Sequence, residues 1–164
     1  MIYGIDSCSK TIAVTWWNGI LYDTRFFDIW DRWAVDSAPW VSRIMRRFFS
    51  GTNLCQDDFV FLEAPVVAGA RNIQATVKQA FINGIIQSEV GRAGAMCVLV
   101  APSTWKVSST GRGGASKDQV ADAIRRHDET LANTIGSNQD QFDATGLCIH
   151  GRCVVEGLAV ASKL

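Results

Sequence analysis

The chain has 164 residues, 48% hydrophobic and 20% charged, with 16 basic side chains against 16 acidic ones. That length suits one domain, residues 1–164, able to bury a proper core. The balanced charge does not advertise nucleic acid, so any such contact must come from a local patch. Five cysteines without a C-x-x-C pair speak against a zinc site and against a disulfide framework, and they fit a reducing, cytoplasmic setting. No apolar run reaches transmembrane length and no leader is expected. The terminal Ser162-Lys163-Leu164 spells a peroxisomal address, but so short a match carries little weight.

The first run, Ile2-Tyr3-Gly4-Ile5-Asp6, predicts a buried strand ending on a carboxylate at a polar turn. Such an acid either caps its own turn or begins a cluster of hard oxygen ligands for a divalent ion. Thr11 to Trp17 and Ile20 to Phe27, separated by Asn18-Gly19, predict a hairpin with a type I′ turn. Three consecutive antiparallel strands follow from this. A helix is expected from Ala38 to Phe49, with Trp40, Val41, Ile44, Met45, Phe48 and Phe49 inward and Arg43, Arg46 and Arg47 solvated.

Asp58 to Glu63 predicts a fourth strand that also ends on a carboxylate before a turn. Ligands gather outside the carboxyl ends of strands in open α/β sheets, so Asp6 and Glu63 strengthen each other as candidates. A long helix is expected from about Arg71 to Arg92, with Ile73, Val77, Ala80, Phe81, Gly84 and Ile85 on the sheet. Ile82, Ile86 and the flat Gly84 add apolar surface suited to a partner.

Ala95 to Ala101 reads as a fully buried fifth strand stopped by Pro102, and Ser108 to Gly114 as a flexible loop without a Walker pattern. Ser116 with Gln119 forms a capping box opening a helix, whose Val120 and Ile124 face inward. Asn138 to His150 predicts a last helix carrying Asp140 and Asp143. Three residues apart, these acids lie about 60° from one another on one face. Asp140 alone would serve the helix dipole. Asp143 sits in an apolar helix and is harder to explain structurally. His150 stands about 10 Å further along the axis and is expected to be structural.

The order of elements and acids resembles the RNase H-like nuclease fold, and within it the RuvC-type Holliday junction resolvases, over nearly the whole chain. Four segments carry the resemblance: Gly4-Ile5-Asp6 with Ser9; Leu62-Glu63 before a turn and long helix; Gly111-x-Gly113-x-Ala115-x-Lys117-x-Gln119-Val120; and Asp140-x-x-Asp143-Ala144. The resemblance implies an α/β domain with a five-stranded mixed sheet, three antiparallel strands then two parallel, flanked by helices. It implies Mg²⁺- or Mn²⁺-dependent hydrolysis of DNA phosphodiesters with two ions held by Asp6, Glu63, Asp140 and Asp143. Lys106 and Lys117 match basic positions beside that site, and Arg71 and Arg112 join them as candidate DNA contacts. The implied substrate is branched DNA, above all the four-way junction, cut by a homodimer with no membrane association, in a prokaryotic or phage-encoded setting. Ser7 and Cys8 replace the family's usual Pro and Gly, and the segment Ala64 to Ala70 lacks the aromatic that family members insert at the junction. Other RNase H-like nucleases acting on structured RNA or other branched DNA remain an alternative, as does a non-catalytic junction binder. Actin-like ATPases also begin Gly-Ile-Asp but need a second domain to close over nucleotide.

Overall fold

Alternation along one central strand decides how the layers form. The computed structural model describes residues 1–29, 34–66 and 73–157. β1 (Ile2–Ser7) lies mid-sheet, in the order β3-β2-β1-β4-β5. β2 (Thr11–Trp17) and β3 (Tyr22–Asp28) continue it antiparallel. Beside its other edge, β4 (Phe59–Glu63) runs parallel, followed by β5 (Met96–Val100), also parallel. This is the mixed sheet expected from the sequence.

Successive side chains point to opposite faces of a strand. Tyr3, Ile5, Val60 and Leu62 pack with Met45 and Phe48 of α1 (Ala34–Gly51) and Ile82 and Ile86 of α2 (Ile73–Arg92). Ile2 and Phe61 face the opposite layer, where they join Trp105 of α3 (Pro102–Thr110), Val120 of α4 (Lys117–His127), Leu131 of α5 (Glu129–Ile135) and Leu147 of α6 (Gln139–Val155). The same alternation sends Asp6 and Glu63 toward the α6 side.

Glycine sets how closely α6 approaches. A methyl group on Gly4 would collide with the Ala144 carbonyl and the backbone of Cys148. Gly146 and Gly151 likewise receive the rings of Trp105 and Phe61. Helix and strand thus touch backbone to backbone, which brings the first turns of α6 to the end of β1.

Several expectations need correction. The hairpin forms, but only Gly19 has positive φ, at 98°, and the connection spans residues 18–21 between the paired Trp17 and Tyr22. Asn18 organises it by accepting from the Ile20 and Leu21 amides at 2.9 and 3.0 Å, so no type I′ turn is needed. Trp40 is exposed. On α2 the faces are reversed: Ile82 and Ile86 are in the core, while Ile73, Val77 and Phe81 are exposed and Gly84 meets nothing. β5 is an edge strand with Met96 and Leu99 exposed, not a buried one. The expected loop from Ser108 is helical through Thr110, α5 is an additional helix, and α6 runs past His150 to Val155. Arg71, most of the segment without the aromatic, and the terminal Ser162-Lys163-Leu164 lie outside the described residues.

Candidate active site

Each acid reaches the site by a separate local rule. Asp6 and Glu63 end parallel neighbours, β1 and β4, on the same face. Asp140 and Asp143 occupy the first turns of α6, which Asn138 caps by accepting from the Gln141 amide at 3.1 Å. Asp6 is buried, and Glu63, Asp140 and Asp143 are partly buried.

Each acid feels the charge of the others. Burial, then the charges of Glu63, Asp143 and Asp140, push the Asp6 carboxyl well above its usual range, with Lys117 opposing. Glu63 is raised by burial and by Asp143 and Asp140, while the Trp105 N–H and Lys106 pull it down. Asp143 is raised by burial and Asp140, against the Gln139 amide, Lys106 and Lys117. Four carboxylates and two lysines therefore act on one another within one cluster. Arg112 is not among the charges prominent at these acids; it lines a neighbouring cavity.

Sequence reasoning missed the side chains that hold the acids. The fully buried Trp105 donates its indole N–H to Glu63 Oε2 at 2.8 Å. Thr11 Oγ1 donates to Asp140 Oδ2 at 2.6 Å, and Gln139 Nε2 to Asp143 Oδ1 at 2.9 Å. Lys106 Nζ donates to the Ala115 carbonyl at 3.1 Å, which joins α3 to the loop before α4. Asn83, buried on α2, donates to the Glu63 carbonyl at 2.8 Å and accepts from Ser7 Oγ. His150 is structural: Nδ1 pairs with Ser108 Oγ at 2.7 Å, and burial lowers its basicity.

Acceptor-only oxygens whose ionisation is opposed by burial and by each other suit a hard divalent cation, which would relieve that repulsion. Among the described residues, no three His, Cys, Asp or Glu side chains converge to enclose an ion unaided. Mg²⁺ does not require that, since it binds through one or two carboxylates and retains water. The donor set fits.

No protein-family model matches the chain, and no curated protein matches it in sequence. Its fold, however, is that of RNase H-like α/β proteins. In particular, it is similar to Thermus thermophilus RuvC, at TM-score 0.66 and 14% identity over 91% of both chains. It is also similar to T. thermophilus RuvC in complex with Holliday junction substrate, at TM-score 0.69 and 13% identity, covering 91% of this chain and 90% of that one. Fowlpox virus resolvase, in complex with substrate Holliday junction DNA, matches at TM-score 0.54 and 15% identity over 96% of this chain and 98% of its own.

Proposed function

We propose that this protein is a structure-specific endodeoxyribonuclease that resolves four-way DNA junctions, acting as a single nuclease domain over residues 1–164 in recombination and repair. One observation carries the reading: carboxylates from two strand ends and one helix face gather in one cluster, where burial and neighbouring charge raise Asp6, Glu63 and Asp143, on the fold of two kinds of junction resolvase. Asp6, Glu63, Asp140 and Asp143 would hold two Mg²⁺ or Mn²⁺ ions. When bound, such ions activate the attacking water and stabilise the leaving oxygen. Lys106 and Lys117 hold the scissile phosphate and offset the charge that develops on it. Trp105, Thr11 and Gln139 keep three carboxylates from turning away. Five free thiols fit a reducing cytoplasm, and no described helix is long and apolar enough to cross a membrane.

Symmetric nicking of two strands calls for two copies of the site. The dimer contact we propose is the outer face of α2, with Ile73, Val77 and Phe81 exposed. Phe81→Glu should give a folded monomer, whereas Ile86→Glu, placed in the core, should prevent folding. Sedimentation at micromolar concentration distinguishes them.

The test of the whole reading is a labelled synthetic junction incubated with protein and Mg²⁺ or Mn²⁺, with nicks mapped beside flap, linear duplex and structured RNA controls. Paired nicks at the junction centre are expected. Cutting confined to RNA or flaps would replace this reading with another RNase H-like nuclease.

A further inference from the structure

A second charged feature lies beside the acids and is not part of them. Thr110, Arg112, Ala115, Gln119, Asp122 and Arg126 line a cavity of about 240 Å³ between the end of α3 and the outer side of α4. Most of its polar atoms are already engaged. Thr110 Oγ1 donates to the Lys106 carbonyl at 2.7 Å and accepts from the Arg112 amide at 3.1 Å. The Gln119 side-chain oxygen accepts from the Ser116 amide at 3.0 Å. Asp122 is held by Arg125 at 2.7 Å. The two guanidinium groups, of Arg112 and Arg126, have no hydrogen-bond or ion-pair partner among the described residues. Both side chains are exposed at this one cavity, so their donors are open to an anion from solvent. Guanidinium forks match phosphate oxygens in geometry as well as charge.

The cavity wall is linked to the lysines of the acidic cluster. Ala115 lines it, and the Ala115 carbonyl holds Lys106. Lys117, two residues on, acts on Asp6 and Asp143. We propose that Arg112 and Arg126 together seat one backbone phosphate of the bound DNA, outside the scissile phosphate, and so fix the strand's register across the acids. Lys106 and Lys117 serve the bond that breaks; the arginine pair serves a neighbour that stays intact. This inference rests on the DNA-directed reading above, but its test does not depend on cleavage.

The protein in chelator is titrated with salt against fluorescent junction DNA, and the slope of log affinity against log salt is read. Neutralising one phosphate contributes about 0.9 to that slope. Arg112→Ala and Arg126→Ala should each lower the slope, and the double variant should lose about 0.9 in total because the phosphate is shared. Asp122→Asn, which removes a carboxylate from the cavity wall, should tighten binding severalfold. Arg47→Ala, an exposed arginine on α1, is the control and should leave the slope unchanged. A double-variant loss near twice that value would mean separate phosphates and overturn the shared seat. So would an equal loss from Arg47→Ala, an unchanged slope in the arginine variants, or weaker binding by Asp122→Asn. Inorganic phosphate competing as well as DNA would overturn the assignment to a nucleic-acid strand. If the arginine variants behave as stated but junctions are never cut, the seat stands and the nuclease reading falls. The reverse pattern condemns the seat alone.

Discussion

The two ends of α6 treat charge in opposite ways. At its C-terminal end, Arg152 stacks over Trp17 at 4.1 Å, pairs with Glu156 at 2.8 Å and reaches the Tyr22 hydroxyl at 3.4 Å. Trp17 in turn donates to Glu156 at 3.1 Å. Each charge there has an answering group. At the N-terminal end, four acids face two lysines, and three of the acids are held above their ordinary protonation range. One end closes the fold; the other leaves electrostatic work for something not in the chain. A helix can be anchored at one end so that it tolerates strain at the other.

The comparison is broken most severely by removing an acid. Asp6→Asn or Asp143→Asn should lower junction cleavage by at least about 100-fold, the upper loss for a mere outer-shell partner, with DNA binding retained. Nick mapping under single-turnover conditions measures it. A smaller effect comes from the acids' supports: Trp105→Phe removes the N–H to Glu63 and trims the ring that packs on Gly146. About a tenfold loss of cleavage is expected, with the melting temperature lowered by the void left in the core. At the opposite end, Arg152→Ala should cost about 1–2 kcal/mol of stability through the lost stacking and hydrogen bonds, read by urea unfolding, and leave cleavage rates alone.

The finest probe is pH in chelator. The folded state raises the Asp6 pKa, so it penalises the charged form. That penalty is absent below the unfolded value of about 3.9, grows as pH rises past it, and is complete above the raised folded value. Asp6→Asn should therefore match wild type in acid and become the more stable protein as pH climbs. Thermal melts across that range check the sign. Adding Mg²⁺ should narrow the gap by stabilising wild type more than the variant.

What the sequence made legible followed from short-range rules. Asp6 and Glu63 are legible as carboxylates closing two strands before turns, and the spacing of Asp140 and Asp143 puts both on one side of their helix. The reversed face of α2 has a physical cause. Its core side carries Asn83 and Glu89, which look solvent-seeking until their partners are known. Asn83 is satisfied by Ser7 and the Glu63 backbone, and Glu89 by Ser42, with Arg46 at 3.0 Å. Those partners lie far along the chain, so periodicity alone chose the stripe of Ile73, Val77 and Phe81. α3 was missed because Ser-Thr-Trp-Lys-Val-Ser-Ser-Thr is a poor helix former; it is held by Trp105, buried against Gly146. The Trp105–Glu63 bond spans 42 residues, and no local pattern encodes it.

Asn83 also has a mechanical meaning. Its side chain rivets α2 to the tips of β1 and β4 through Ser7 and the Glu63 carbonyl, and it lies two residues from the exposed Phe81. A lever needs a stiff arm and a pinned joint, and here the helix is the arm and the buried amide the pin. Any load that rolls or slides α2 is delivered to the strand tips bearing Asp6 and Glu63, or else must first pull two hydrogen bonds apart.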